Sequence, residues 1–202
     1  QDDSYHKLYA EGSKRLHPFT VPQLMPSAAA SQISMEFGIT GPVFTTTTAC
    51  ASSAHAIGVA LMMLRSGMID VAVTGGAEAP ITKGAFPAWE GLRVLAKDTC
   101  RPFSGKRGGM VLGEGAATLI LETLEHALQR GANIYAELAG FGMSSDAQSL
   151  VQPCADGMAR AIKLALDDAD LKPDDIDYIN AHGTGTPQND PVETEAIHQV
   201  FT

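Results

Sequence analysis

The sequence is poor in cysteine, in positive charge and in long apolar runs, and each shortage excludes something. Its 3 cysteines in 202 residues are odd in number and have no paired spacing, so they form no disulfide framework and suit a reducing compartment. Lysine and arginine number 14 against 23 aspartates and glutamates, a net charge of −9. A nucleic-acid-binding face needs the opposite balance. No stretch approaches the roughly 18 consecutive apolar residues of a membrane span. Nothing repeats at solenoid periods, and nowhere do His, Cys, Asp and Glu gather with metal-ligand spacing.

What remains is an ordinary globular composition, 45% hydrophobic and 18% charged. At about 150 residues per domain the length fits one large domain or one and a half small ones, enough to bury a core without staples. The polar opening, residues 1–19, has neither a signal-peptide core nor an initiator Met, and residues 197–202 still read as helix. Both features predict an internal piece of a longer protein.

Strand and helix patterns alternate, which predicts a largely parallel, layered α/β fold. Strands are expected at 42–48 (PVFTTTT), 70–74 (DVAVT), 116–121, 135–143 and 177–181 (DYINA). Helical spacing runs through 52–66 (Ala54, Ile57, Leu61, Leu64), which Gly67 closes, and through 155–169 (Met158, Ile162, Ala165, Leu166, Ala169). A last helix is expected over 191–201, with Asp190 as its cap, Pro191 in first position and Glu193 completing a capping box. The best internal boundary falls at 131–133, dividing the chain into residues 1–130 and 131–202.

Two segments concentrate chemistry. Cys50, in Thr48-Ala49-Cys50-Ala51-Ser52-Ser53, lies between a β-branched strand and a helix. That turn exposes a thiol to the positive helix end, which favours the thiolate. A small buried apolar cysteine is the competing reading. Cys100 and Cys154 lie in polar loops and read as incidental. The second segment is Asn180-Ala181-His182-Gly183-Thr184-Gly185-Thr186-Pro187, at the carboxyl end of an expected strand, where α/β folds build their sites. Its glycines admit close approach to the backbone, and Thr184 and Thr186 offer hydroxyls on one side. A Gly-rich turn with a surface histidine is the alternative. Gly75-Gly76 reads as a place of tight packing, the segment 105–115 lacks the signature of a phosphate loop, and His55 reads as structural.

Together these residues resemble the β-ketoacyl-[acyl carrier protein] synthases, condensing enzymes of the thiolase-like superfamily. The shared motifs are Thr48-Ala49-Cys50, Val73-Thr74-Gly75-Gly76-Ala77-Glu78, Arg101-Pro102-Phe103, Leu112-Gly113-Glu114-Gly115-Ala116, Tyr135-Ala136-Glu137-Leu138, Gly140 to Ala147 (GFGMSSDA) and Asn180 to Thr186. The resemblance implies a five-layer αβαβα fold of two similar halves, incomplete here at both ends: 1–130 as the N-terminal half, 131–202 as the start of the C-terminal half. It implies that Cys50 carries the acyl chain and that His182, with a second histidine beyond residue 202, supports decarboxylation of malonyl-carrier protein. Thr184 and Thr186 match positions that hold the phosphopantetheine arm. Lys14, Arg15 and Arg107 match basic positions that meet the acidic carrier protein, although plain solvated charge explains them equally. Asp190 and Glu193 match family positions as well.

Two departures stand out. The family usually has Arg-Asp-Gly-Phe where Arg107-Gly108-Gly109-Met110 stands, and Gly where Asn189 stands. By the same resemblance the protein is a cytoplasmic homodimeric acyltransferase of fatty acid biosynthesis. It acts with an acyl carrier protein and needs no cofactor or metal of its own. Residues 1–202 alone are expected to be inactive. The alternatives are a specialised synthase for polyketides or nodulation-signal acyl chains, and a non-catalytic chain-length-factor partner.

Overall fold

The structure, a computed structural model, describes residues 2–202. Its elements in chain order are α1 (Asp2–Tyr5) with a π-helical turn (His6–Ala10), α2 (Thr20–Leu24), α3 (Ala28–Phe37), α4 (Ser52–Arg65), β1 (Val71–Glu78), α5 (Ala85–Gly91), β2 (Gly115–Glu122), α6 (Leu124–Gln129), α7 (Ala155–Ala169), a 3-10 turn (Pro173–Asp175) and α8 (Asn189–Phe201). No helix among the described residues is long and apolar enough to cross a membrane.

The one sheet among these residues corrects an expectation. β1 and β2 pair antiparallel, from Val71 opposite Glu122 to Glu78 opposite Gly115, whereas the alternation of strand and helix predicts parallel pairing. The segments 135–143 and 177–181 form no ladder among the described residues, and 42–48 contributes only an isolated bridge from Thr48 to Cys50. A local pattern fixes which faces of a strand are buried. The ladder itself needs a partner, and the pattern does not name one.

Helix α4 lies on β1 because glycine permits it. A Cβ on Gly76 would stand 2.7 Å from the Cβ of Ser53, in the first turn of α4. Gly75, at φ +146°, lies so close to the Ala117 carbonyl that no side chain fits. Both glycines therefore serve tight packing, as expected. Gly58, Ala60, Leu61 and Leu64 of α4 are buried. The Phe141 ring covers Gly58 and meets His55 edge-on at 6.0 Å, so His55 is a packing residue. Gly140 and Gly142, on either side of Phe141, press against the backbone of α7. The segment is thus sandwiched, with its glycines toward one helix and its phenylalanine toward another. A polar clamp closes the sandwich: Arg65 donates to Asp168 at 2.7 Å and to the Ala139 carbonyl at 2.6 Å, while the Phe141 N–H donates to Asp168 at 2.9 Å. Helices α7 and α8 pack against each other, and Leu166 of α7 and Ala196 of α8 are buried.

At the end of β2, Glu122 gathers α6 beneath it. Arg130 Nε donates to both carboxylate oxygens at 2.9 and 3.1 Å, its Nη2 reaches Oε1, and His126 Nδ1 lies 2.6 Å from Oε2. The bonds from Arg130 first, then from His126, lower the Glu122 pKa to about 2 from 4.5, against the effect of burial. A depressed carboxyl contributes stability that is present above 4.5 and is lost as pH falls toward about 2. Glu122→Gln is therefore expected to lower the urea midpoint at neutral pH. Its deficit against the wild type should shrink through that acid window, and a deficit independent of pH would refute the clamp.

The described residues expose 14470 Å². A monomer of this mass exposes roughly 9,000 Å². The excess includes large apolar side chains, among them Phe37 at 73%, Tyr135 at 94% and Leu150 at 100% exposed.

Candidate active site

The turn that carries Cys50 is tight and stapled. Ala49 has φ +50°, which bends the chain sharply just before Cys50. The N–H groups of Ala51 and Ser52 donate back to the carbonyls of Thr48 and Ala49, each at 3.1 Å. Ser52 then locks the bend with its hydroxyl, which donates to the Ala49 carbonyl at 2.7 Å and accepts from the Thr48 N–H at 2.8 Å. The Thr46 hydroxyl donates to the Ser52 carbonyl at 2.8 Å. Cys50 is exposed, two residues ahead of the first residue of α4. Its position at a turn into a helix N-terminus is the one the sequence predicts. Ser52 is the residue that sequence reasoning overlooked, although a hydroxyl at a helix start is a recognisable local signal.

The second segment is built from below by two carboxylates on α8. Glu193 accepts the His182 N–H at 2.5 Å and the Gly183 N–H at 2.9 Å. Asp190 is 2% exposed and accepts the Phe103 N–H at 2.6 Å and the Gly185 N–H at 3.1 Å. The capping expectation for these residues is therefore corrected. The residue before α8 is Gln188, which makes no side-chain cap bond, and the Asn189 N–H instead donates to the Thr186 hydroxyl at 3.1 Å. Asn189 follows Thr186 by three positions, so the threonine serves as the local cap and releases both acids to hold the loop.

Thr184 and Thr186 place their hydroxyls 2.9 Å apart, side by side as their spacing suggests. Thr186 is buried and Thr184 half-buried. Gly183 at φ +54° and Gly185 at φ +73° need their glycines for conformation, and the surroundings leave no room either. A Cβ on Gly185 would meet Cys100 Sγ and the Gly109 carbonyl, each at 2.9 Å, and one on Gly183 would touch Phe103 at 3.2 Å and Pro102 at 3.3 Å. The Arg101-Pro102-Phe103 motif is thus the floor of the loop. Cys100, read as incidental, is part of that floor, its thiol donating to the Thr184 carbonyl at 3.3 Å. The two are 84 positions apart, and no sequence signal links them.

The basic positions separate. Arg107 is half-buried against the same loop, with Nε donating to the Thr186 carbonyl at 3.3 Å and Nη1 to the Ser104 carbonyl at 3.1 Å. Lys14 and Arg15 are exposed and form no ion pair among the described residues. The structure therefore brings His182, Thr184, Thr186 and Arg107 together. No hydrogen bond or ion pair among the described residues joins the Cys50 turn to that loop. The His182 imidazole makes no hydrogen bond there, and no group of three or more His, Cys, Asp and Glu residues that could hold a metal is found among the described residues.

Residues 1–127 match the family model for the β-ketoacyl synthase N-terminal domain, and residues 135–202 match that for the β-ketoacyl synthase C-terminal domain. Nodulation protein E of Rhizobium leguminosarum bv. trifolii is 51% identical over 200 residues, which are 99% of this chain and 50% of that protein. The 3-oxoacyl-[acyl-carrier-protein] synthase 2 of Staphylococcus aureus is 42% identical over 205 residues, 98% of this chain and 51% of that protein. The solved ishigamide ketosynthase/chain length factor superposes with a TM-score of 0.92 at 40% identity, covering 98% of this chain and 49% of its own. The fold is thus the thiolase-like one of the ketosynthases, and the chain spans about half the length of the curated relatives it matches.

Proposed function

Because the chain belongs to the β-ketoacyl synthase family, we propose that the protein performs a decarboxylating Claisen condensation on acyl chains carried by an acyl carrier protein. The observation that carries this reading is the 182–186 loop. Its backbone is tied to Glu193 and Asp190, and the His182 imidazole is left unbonded and exposed. A histidine so held is aimed by its backbone and free to act through its ring.

The chemistry divides between the two segments. The Cys50 thiolate attacks the carbonyl carbon of an acyl thioester, and the carrier's thiol leaves as the new Cys50 thioester forms. Malonyl-carrier protein then loses carbon dioxide, and the electron pair of the broken C–C bond passes into an enolate. A hydrogen bond from His182 stabilises the enolate oxygen as charge develops there. The enolate carbon attacks the Cys50 thioester, the new C–C bond forms, the C–S bond breaks, and the Cys50 thiolate is regenerated beside a 3-oxoacyl-carrier protein. Thr184 and Thr186 would hold the phosphopantetheine arm that delivers each substrate. Lys14, Arg15 and Arg107 would meet the carrier protein, with Arg107 limited by its two carbonyl bonds.

In this reading residues 1–130 belong to the N-terminal half of one synthase unit and residues 131–202 begin its C-terminal half. The working protein is a cytoplasmic homodimer, with no cofactor beyond the carrier-bound arm. The similarity to Nodulation protein E at 51% identity favours a second reading of the substrate, an acyl chain destined for a nodulation signal. A non-catalytic partner role is disfavoured by the presence of an exposed Cys50.

The test is reconstitution of the full polypeptide with acyl- and malonyl-carrier protein, with products and enzyme-bound acyl groups mapped by mass spectrometry. Acyl label on Cys50, carbon dioxide release and a 3-oxoacyl product are expected, and residues 1–202 alone should give none of them. A polypeptide that binds carrier protein yet never acylates Cys50 would move the partner reading to the front.

A further inference from the structure

Resting on that reading, we infer that Asn189 is a positioning residue, which fixes the aim of His182 by bridging the two carboxylates that hold its loop. Asn189 Nδ2 donates to Glu193 Oε2 at 3.0 Å and reaches Asp190 Oδ1 at 3.4 Å. Among the described residues it is the one side chain bonded to both acids. The assignment of the amide is unambiguous, because both neighbours are acceptors and only the NH2 end satisfies them.

The bridge matters because of what it joins. Asp190 and Glu193 are three residues apart on α8, so they share a face and repel one another. Each spends its oxygens on backbone N–H groups of the loop: Glu193 on His182 and Gly183, Asp190 on Gly185 and on Phe103 in the floor. The Asn189 amide opposes that repulsion from the side and gives Glu193 its third donor. The backbone of Asn189 is pinned in turn, its N–H donating to the Thr186 hydroxyl at 3.1 Å. Loop, acids and threonine pair therefore form one connected unit with Asn189 at its centre. A glycine at this position leaves the unit without its link. An aspartate keeps the shape, replaces the donor with an acceptor and adds a third carboxylate.

The Cys50 turn shares no hydrogen bond with this unit, so the two half-reactions should respond differently. In the full polypeptide, Asn189→Gly and Asn189→Asp are compared with the wild type in three measurements: acylation of Cys50 from acyl-carrier protein, carbon dioxide release from malonyl-carrier protein, and hydrogen exchange across residues 180–188. Acylation is expected to stay within about twofold. Decarboxylation should fall about fivefold in Asn189→Gly and more than about twentyfold in Asn189→Asp, the range that small misplacements of a catalytic group produce. Amides 182–185 should exchange faster in both variants, while the Cys50 turn is unchanged. Decarboxylation unaffected in both variants, or both half-reactions falling together, overturns the inference. If the wild type releases no carbon dioxide, the condensation reading fails. Exchange then decides the positioning role by itself: faster exchange at 182–185 upholds it and unchanged exchange overturns it.

Discussion

Cys50→Ala in the full polypeptide is expected to lower condensation by about 10³-fold or more, since in the proposed mechanism Cys50 is the covalent nucleophile and its removal eliminates the route. The same variant should still decarboxylate malonyl-carrier protein, because the proposed mechanism assigns that step to the His182 loop and needs no thiol for it. Cys50 is exposed on a turn held by Ser52 and by the positive φ of Ala49, so alanine fits without disturbing the fold. Iodoacetamide at neutral pH should modify Cys50 ahead of Cys100 and Cys154, which are half-buried. Cys100 in addition spends its S–H on the Thr184 carbonyl. The measurements are steady-state condensation and peptide mapping of the label. Condensation retained in Cys50→Ala, or label spread evenly over the three thiols, would remove Cys50 from the mechanism.

The second large effect concerns stability as much as chemistry. Asp190 is 2% exposed and joins three separate pieces of chain: α8, the 102–103 floor and the loop at Gly185. In Asp190→Ala the Gly185 N–H loses its acceptor where it is buried, and the Phe103 N–H loses its acceptor at a part-buried position. Leaving a buried donor unpaired costs about 1–3 kcal/mol, so a loss of about 1–3 kcal/mol is expected, most of it from Gly185. Asp190→Asn keeps one acceptor and should fall between alanine and wild type. Urea unfolding of the full polypeptide reads the effect directly, and condensation should decline with it because Gly185 lies between the two threonines. A change within about 0.5 kcal/mol, the range of an ordinary surface substitution, would show that Asp190 is a bystander.

The contrast between Asp190 and Cys50 shows where sequence reading stops. Cys50 announces itself locally, as a thiol between a β-branched stretch and a helix of small residues. Asp190 also has a local reading, as a helix cap, and that reading misassigns it. Its Phe103 partner is 87 residues away, and a cap can be judged from a few neighbours only. Cys100 is the same case in reverse: nothing nearby marks it, yet it supports the Thr184 carbonyl. The strand expectations divide similarly. Residues 71–78 and 115–122 form a ladder, but in an antiparallel register that neither segment encodes, while 140–142 is held between α4 and α7 by its own alternation of glycine and phenylalanine.

By itself, then, the sequence determined helices over 52–66, 155–169 and 191–201, the last starting two residues late, together with the cysteine turn and the His-Gly-Thr-Gly-Thr loop, because helical periodicity, turn chemistry and motif spacing act over a few residues. Its linear order of motifs also determined the family, through many short matches in sequence. Only the tertiary structure decided what holds the loop in place: Glu193 under His182, Asp190 under Gly185, Cys100 and Phe103 as floor, and Asn189 between the acids. The reason is physical. Backbone N–H groups in a Gly-rich loop must find acceptors when they leave water, and every residue presents the same N–H whatever its side chain. Which acceptor arrives depends on how α8 and the 100–103 segment pack against the loop.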